Sequence, residues 1–280
     1  MKCKCLQTHK FHSPGRDNGL KANRISLLHS LFSIINENDE SDSNYVLAHY
    51  FLDHYHELDQ LNIYDVADEC FVSRASIRRF CKSIGYENFL GLKHEFSTYD
   101  DRYQSYMKHA KKDNFRQSLT NEINEMIKEL DRRMNTREVY NIAKQIKDSR
   151  HTVFLTTGTS AGFVKEFQQS MIFNKKMIYL VSELYSDNEL LLNLSEDDFL
   201  ITISNTGTFA YASFPLISES KSQKTLITLR RDPIFNEWYD KVYHLSAEDK
   251  SKSDINVYGK YGVSYMLDVI YSEYTKNFNN

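Results

Sequence analysis

Two short segments of this chain place hydroxyls, a glycine and free backbone amides where a helix pattern begins. They are Thr157-Gly158-Thr159-Ser160-Ala161-Gly162 and Ser204-Asn205-Thr206-Gly207-Thr208. The first amides of a helix have no intrahelical acceptor and the macrodipole is positive there, so both segments suit an anion, typically a phosphate. Gly158, Thr159 and Ser160 in the first segment, and Ser204, Asn205, Thr206, Gly207 and Thr208 in the second, are the candidate ligand-binding residues. Neither segment holds a lysine, which excludes a Walker-type nucleotide loop. Taken singly, either set of hydroxyls serves equally well as helix caps. Two such loops on one edge of one sheet are harder to dismiss.

A third segment carries cationic chemistry. Ser73 is a good N-cap, Arg74 to Ser83 has helical character, and Gly85 supplies the positive φ of a helix exit. Ala75, Ile77, Phe80, Cys81 and Ile84 are expected on an inward stripe, while Arg74, Ser76, Arg78, Arg79 and Lys82 point elsewhere. Upstream, Ile63 to Cys70 reads as a short helix with a small apolar face of Val66, Ala67 and Cys70, and the chain breaks sharply at Phe71-Val72-Ser73. Two short helices at a tight turn, the second apolar behind and cationic in front, are what a major-groove reader requires. Ser73, Arg74, Ser76, Arg78, Arg79 and Lys82 are the candidate DNA-binding residues. The patch runs from Arg74 to Lys93, interrupted by Glu87.

These segments need elements to hold them. The chain has 280 residues, enough for about two domains. Apolar positions recur at helical spacing from Ile25 through Leu28, Leu31, Phe32 and Ile35, then at Val46, Leu47, Tyr50, Phe51 and Tyr55, and again at Phe89, Leu92 and Phe96. With the two helices above, that makes a small domain of about five helices. Asp100 to Asn114 is polar with scattered tyrosines and reads as an exposed connecting helix or linker. Leu119, Ile123, Met126, Ile127 and Leu130 then form an amphipathic helix, and Asn135-Thr136-Arg137-Glu138 offers a capping-box-like start to another.

From residue 150 onward the period changes. Near-continuous apolar runs at 152–156, 176–180, 198–204, 225–229 and 241–245 alternate with helix-length segments, which implies a five-stranded parallel sheet covered by helices on both faces. In such sheets the ligand lies beyond the carboxyl ends of the strands, so the loops after Thr156, Leu180, Ser204 and Leu229 are the place to look. The expected fold class is therefore an all-α helix-turn-helix domain followed by an α/β domain. The expected division is a disordered leader at 1–20, a DNA-binding domain at 21–99, a linker at 100–118 and a ligand-sensing domain at 119–280.

Composition sets limits. A net charge of −3 argues against a wholesale polyelectrolyte binder, so nucleic-acid contact must come from a local patch. No run approaches the roughly 18 apolar residues of a membrane span, and the N-terminus lacks a signal-peptide core, so a cytoplasmic location is expected. Of the four cysteines, Cys70 and Cys81 sit on the apolar faces just described. Cys3-x-Cys5 with His9 and His12 is tighter than the usual structural zinc spacing, and no metal or cofactor is expected.

The chain resembles the RpiR family of bacterial transcription regulators over nearly its full length after residue 20. The resemblance is carried by Asn62 to Ala67, Val72 to Lys82 and Ile84 to Phe89, where Val-Ser, Arg-Phe-Cys-Lys and Gly-(aromatic)-x-x-Phe keep their order and spacing. The second half resembles the sugar isomerase (SIS) domain. That family's Gly-x-Gly-x-Ser loop falls on Thr156 to Ser160, and its Ser-x-Ser-Gly-x-Thr phosphate loop on Ser204 to Phe209. Thr156 replaces the first glycine, Thr206 the second serine and Phe209 the last threonine, whose phosphate contact a phenyl ring cannot make. Thr208 could substitute by a one-residue shift, or the effector has changed or been lost.

The resemblance implies a regulator of sugar-metabolism genes that binds operator DNA and a phosphosugar effector and is not an enzyme. A single small helix-turn-helix reads few base pairs, so a homodimer or homotetramer on a palindromic site is expected. The rival reading is a phosphosugar isomerase, which needs a positioned general base. His151, His244, Glu166 and Glu183 are present, but nothing in their spacing pairs them, and no catalytic residue is assigned.

Overall fold

The computed structural model describes residues 27–96, 101–134, 137–182, 189–253 and 255–278. The expected leader with Cys3, Cys5, His9 and His12, the start of the helix at Asn135-Thr136, and Glu183 lie outside the described residues. Helices α1 (Leu27–Glu37), α2 (Ser43–Asp53), α3 (Ile63–Glu69), α4 (Arg74–Ser83) and α5 (Phe89–Phe96) build the first body. Their apolar positions meet in one cluster in which Leu31, Leu47, Phe51, Leu58, Val66, Ile77, Phe80 and Leu92 are fully buried. The Phe51 ring lies 5.6 Å from that of Phe80 and 6.0 Å from that of Phe89, so one aromatic on α2 ties α4 and α5 together. Each such side chain contributes about 1.5–3 kcal/mol by burial. Ala75 departs from its expected place on the inward stripe and is exposed. At about 100° per residue it stands roughly 160° around the helix from Ile77, too far to share a face with Phe80 and Ile84.

Helix α6 (Asp101–Ala110) and helix α7 (Phe115–Met134) follow. The stretch expected to be an exposed connecting helix or linker is a helix over Asp101–Ala110, and its rings are not idle. Tyr106 and Phe115 meet edge to face at 6.1 Å, and both pack against the core of the α/β body. The amphipathic stripe also begins earlier than its spacing suggested, since α7 starts at Phe115.

Helix α8 (Arg137–Asp148) leads into the sheet. Its strands are β1 (Thr152–Leu155), β2 (Ile178–Val181), β3 (Phe199–Ile203), β4 (Gln223–Thr228) and β5 (Lys241–His244). They are parallel, in the order β2-β1-β3-β4-β5. Alternate residues serve opposite faces, as strand geometry requires. Phe154, Phe199, Ile201 and Ile227 join α7, α8, α9 (Thr159–Ile172) and the C-terminal helix α13 (Val263–Phe278) on one side. Val153, Leu155, Leu200 and Leu226 join α10 (Glu189–Leu192), α11 (Thr208–Ile217) and α12 (Phe235–Trp238) on the other. The sheet is thus sandwiched by helices, as its unbroken apolar runs imply.

Asp198 anchors the amino-terminal edge of the sheet. It accepts from Arg150 Nη2 at 2.7 Å, from the amide of His151 at 3.1 Å and from the amide of Ser195 at 2.8 Å. Burial on its own would raise its pKa, but these donors hold the carboxyl well below the usual carboxylate range.

Candidate functional site

The chain leaves β1 toward β2 and leaves β3 toward β4, so the strand order reverses between the two neighbouring strands β1 and β3. A crevice opens beyond the carboxyl ends at such a switch point. The two hydroxyl-rich loops leave β1 and β3 and therefore stand on either side of it. Each ends on a glycine with positive φ at the N-cap of the next helix: Gly158 (φ 60, ψ −137) before α9 and Gly207 (φ 80) before α11. Only glycine takes these conformations at little cost. A side chain at Gly158 would project into open space.

The loop residues divide by what they already bond. Ser204 is buried, and its Oγ accepts from the amide of Ala210 at 3.1 Å, capping α11 from inside. Thr156, standing where the related loop has glycine, is buried and donates to the carbonyl of Ile203 at 2.9 Å, which ties β1 to β3. Thr206 Oγ1 donates to Thr208 Oγ1 at 3.1 Å on the exposed side of the loop. Asn205 reaches from the β3 loop toward α9 and the turn before α13, with Nδ2 3.5 Å from both Ser160 Oγ and the carbonyl of Gly259. Its Oδ1 is buried without a partner among the described residues. Phe209 turns its ring into the core and leaves only its amide, early in α11, on the loop side.

One residue of this edge escaped the sequence reading. Arg230, just past β4, lies so close to Gly207 that a Cβ there would be 3.0 Å from its Cγ. Its neighbour Arg231 is engaged, donating to the carbonyl of Ser246 at 2.6 Å. The stem of Arg230 thus runs past the N-cap of α11, and the Arg-Arg pair directly after an apolar run was the signal for it.

Of the candidate bases for a sugar isomerase, the three among the described residues, His151, Glu166 and His244, lie apart. His151 is at the opposite, amino-terminal edge, with Nδ1 3.0 Å from Asp198. Glu166 is exposed on α9. His244 is at the carboxyl end of β5, half-buried, with its pKa lowered by burial and by Arg231 and Arg133. Among the described residues no group of three or more His, Cys, Asp or Glu is placed to hold a metal ion.

In the helical body, α3 ends in a Schellman motif: Val72 N–H bonds to the carbonyl of Ala67 at 3.0 Å and Phe71 N–H to that of Asp68 at 3.3 Å. The left-handed position is Phe71 (φ 52), which is 95% exposed. Ser73 then caps α4, its Oγ accepting from the amide of Ser76 at 3.1 Å. A second Schellman motif closes α4, with Gly85 (φ 87) left-handed and Tyr86 N–H bonded to the carbonyl of Cys81 at 2.8 Å. Cys70 and Cys81 are buried, which raises their thiols to about 11 and about 12.

Residues 28–102 match the model of the helix-turn-helix domain, rpiR family. The helical body is an RpiR-family helix-turn-helix domain. Solved structures with a similar chain path include the NanR protein of Vibrio vulnificus complexed with ManNAc-6P, at 16% identity and a TM-score of 0.45 over 90% of this chain and 92% of that one. The sugar isomerase domain of an RpiR transcription factor from Sphaerobacter thermophilus matches at 16% identity and a TM-score of 0.43, over 55% and 88% of the two chains. The c3406 protein of E. coli CFT073 matches at 15% and 0.39, over 63% and 90%. No curated protein matches the sequence.

Within this RpiR-type domain the cationic candidates differ in how they are held. Arg74 donates from Nη1 to Tyr64 Oη at 3.0 Å and stacks over the Tyr64 ring. Arg79 donates from Nη2 to Ser76 Oγ at 3.1 Å, and Ser76 Oγ is 3.0 Å from Ser73 Oγ, so three candidates form one chain. Arg78 and Lys82 are exposed on the same helix. Lys93, expected to extend the basic patch, is instead spent on structure, bonding to the carbonyl of Leu61 at 2.6 Å.

Proposed function

We propose that this protein is a DNA-binding transcriptional regulator of sugar-metabolism genes, controlled by a phosphorylated sugar bound at the switch point of its α/β domain. The observation that carries the reading is the RpiR-type helix-turn-helix, joined in one chain to two helix N-termini that face one crevice. The phosphate would be held by the hydroxyls of Ser160, Thr206 and Thr208 and the early amides of α9 and α11, with Gly158, Thr159, Asn205 and Gly207 shaping the loops and Arg230 adding charge. Ser204 supports the site by capping α11. In the reading domain Arg74, Arg78, Arg79 and Lys82 would contact bases and phosphates, an arginine being able to pair bidentately with guanine, while Ser73 and Ser76 bond to phosphate. A homodimer or homotetramer would present paired reading heads to a palindromic operator.

The test is a thermal-shift screen of hexose and N-acetylhexosamine 6-phosphates on the wild type and on a Ser160→Ala, Thr208→Ala double variant. A shift in the first, reduced in the second and missing with the unphosphorylated sugars, is expected. Turnover of any sugar phosphate would instead favour the isomerase reading.

A further inference from the structure

A single turn of the chain touches both the crevice and the helices that lead to the reading domain. This is the π-helical turn Tyr258–Gly262, at the head of α13. On the crevice side, the carbonyl of Gly259 lies 3.5 Å from Asn205 Nδ2, and the same nitrogen is 3.5 Å from Ser160 Oγ. A Cβ at Gly259 would fall 2.8 Å from that nitrogen and 2.4 Å from Asn256 Oδ1, so glycine is required for turn and loop to meet.

On the other side the turn grips α7. Tyr258 Oη donates to the Glu129 carboxylate, which also accepts from the amide of Ala247 and from Arg133 Nη1. Burial opposes the ionised form of Glu129, yet these donors hold its pKa below the usual value. Gly262 is pressed against Leu130 and Met126, whose atoms would stand 3.2 and 3.3 Å from a Cβ there. The turn also reaches α6, where Lys260 Nζ lies 3.8 Å from the centre of the Tyr106 ring.

We propose that this π turn couples occupancy of the crevice to helices α6 and α7, and through them to the DNA-reading helices. The proposal rests on the ligand reading above and names the regulation of that site. Three features suit the turn to the task. A π turn carries one residue more than the α-helix it interrupts, so reverting to α geometry would rotate Tyr258 and Lys260 by roughly one residue's angle, about 100°. A switch needs two discrete packings, and the π turn and its α-helical counterpart would supply them. Asn205 carries a buried acceptor without a partner among the described residues at the junction, and an amide that turned to present it to a ligand hydroxyl would change its hold on Gly259. Coupling then requires only that the ligand bind one packing more tightly than the other.

The test is a double-mutant cycle read by amide hydrogen exchange over α6 and α7, using Asn205→Ala, Tyr258→Phe and both together in the full chain. The Asn205 side chain bonds within the crevice rather than to either helix, and Tyr258→Phe keeps the ring. Asn205→Ala is expected to change exchange by several-fold around Met126 to Leu130 in the wild-type background and to have little effect there once Tyr258 is Phe. No change in α6 or α7, or the same change in both backgrounds, overturns the proposal. The measurement needs no ligand, so it stands apart from the sugar phosphate screen. If that screen is blank while the cycle is non-additive, the ligand reading fails and the turn remains a coupling element. If sugar phosphates bind but the cycle is additive, the turn is excluded.

Discussion

The guanidinium carbon of Arg74 lies 4.8 Å from the centre of the Tyr64 ring while its Nη1 bonds to Tyr64 Oη at 3.0 Å. The first residue of α4 is therefore held by the helix before it while staying exposed. An arginine fixed in this way loses less side-chain freedom on meeting a base or phosphate. Tyr64→Ala is expected to weaken binding to a duplex selected from a random library by about two- to five-fold, the worth of an exposed cation–π contact. Tyr64→Phe should lie between wild type and Ala. Fluorescence anisotropy at fixed salt reads both, and an unchanged affinity in Tyr64→Ala would show that the tyrosine does not prepare Arg74.

Arg78 and Arg79 test the reading helix itself. With both changed to Ala, the slope of log affinity against log salt should fall by about one for each DNA phosphate that is no longer neutralised. If affinity and slope stay as in the wild type, another surface meets DNA.

Phe71 sets stability against position. A non-glycine residue in the left-handed region costs about 1–2 kcal/mol, and the 95% exposed ring regains little by burial. Phe71→Gly should therefore stabilise the helical body by about 0.5–1 kcal/mol after the extra chain entropy of glycine is allowed for. Urea denaturation is the measurement, and a lowered midpoint would mean that the ring packs in a way its exposure hides.

Asp198 predicts the acid limb of stability. Its folded pKa is depressed below the unfolded carboxylate value of about 3.9, so its contribution is complete above that value and is lost as pH falls through the folded one. Asp198→Asn leaves Arg150 and two amide donors without their charged acceptor and is expected to cost about 2–4 kcal/mol at pH 7. The cost should shrink as pH falls below about 4, where the unfolded chain takes up a proton that the folded carboxylate does not yet accept. A pH-independent difference would contradict the role of ionisation.

Gly207 joins backbone geometry to ligand charge. Gly207→Ala would force a Cβ within 3.0 Å of both Arg230 Cγ and Phe235 Cζ at a φ of 80. Stability should fall by about 1–2 kcal/mol, and sugar phosphate affinity with it. Arg230→Gln should keep the fold and lower affinity by about tenfold or more, the worth of a charge-assisted hydrogen bond. Full affinity in Arg230→Gln would remove it from the site.

The parallel sheet was legible because Val153-Phe154-Leu155 and Phe199-Leu200-Ile201 are apolar on both faces, a pattern only a doubly covered strand needs. Helix α4 was legible from its ends, Ser73 and Gly85. What stayed hidden depends on partners distant in sequence. Nothing near Tyr106 announces Lys260, and nothing near Lys93 announces the carbonyl of Leu61. Of the adjacent pair Arg230 and Arg231, only the fold decides that Ser246 engages the second. Phe71 was hidden for a different reason: the turn chemistry expects glycine, and the chain tolerates strain there instead.

Helix α5 ends at Phe96 and α6 begins at Asp101, so the covalent span between them is at most roughly 18 Å. With α6 and α7 packed on the sheet domain, a reading head has little leash. In a dimer, the way the sheet domains pair would then limit the distance and rotational phase between the two heads. An operator lengthened by half a helical turn between its half-sites would present the second one on the far face of the duplex, beyond reach. Spacer length would then discriminate among genomic sites as sharply as the bases themselves.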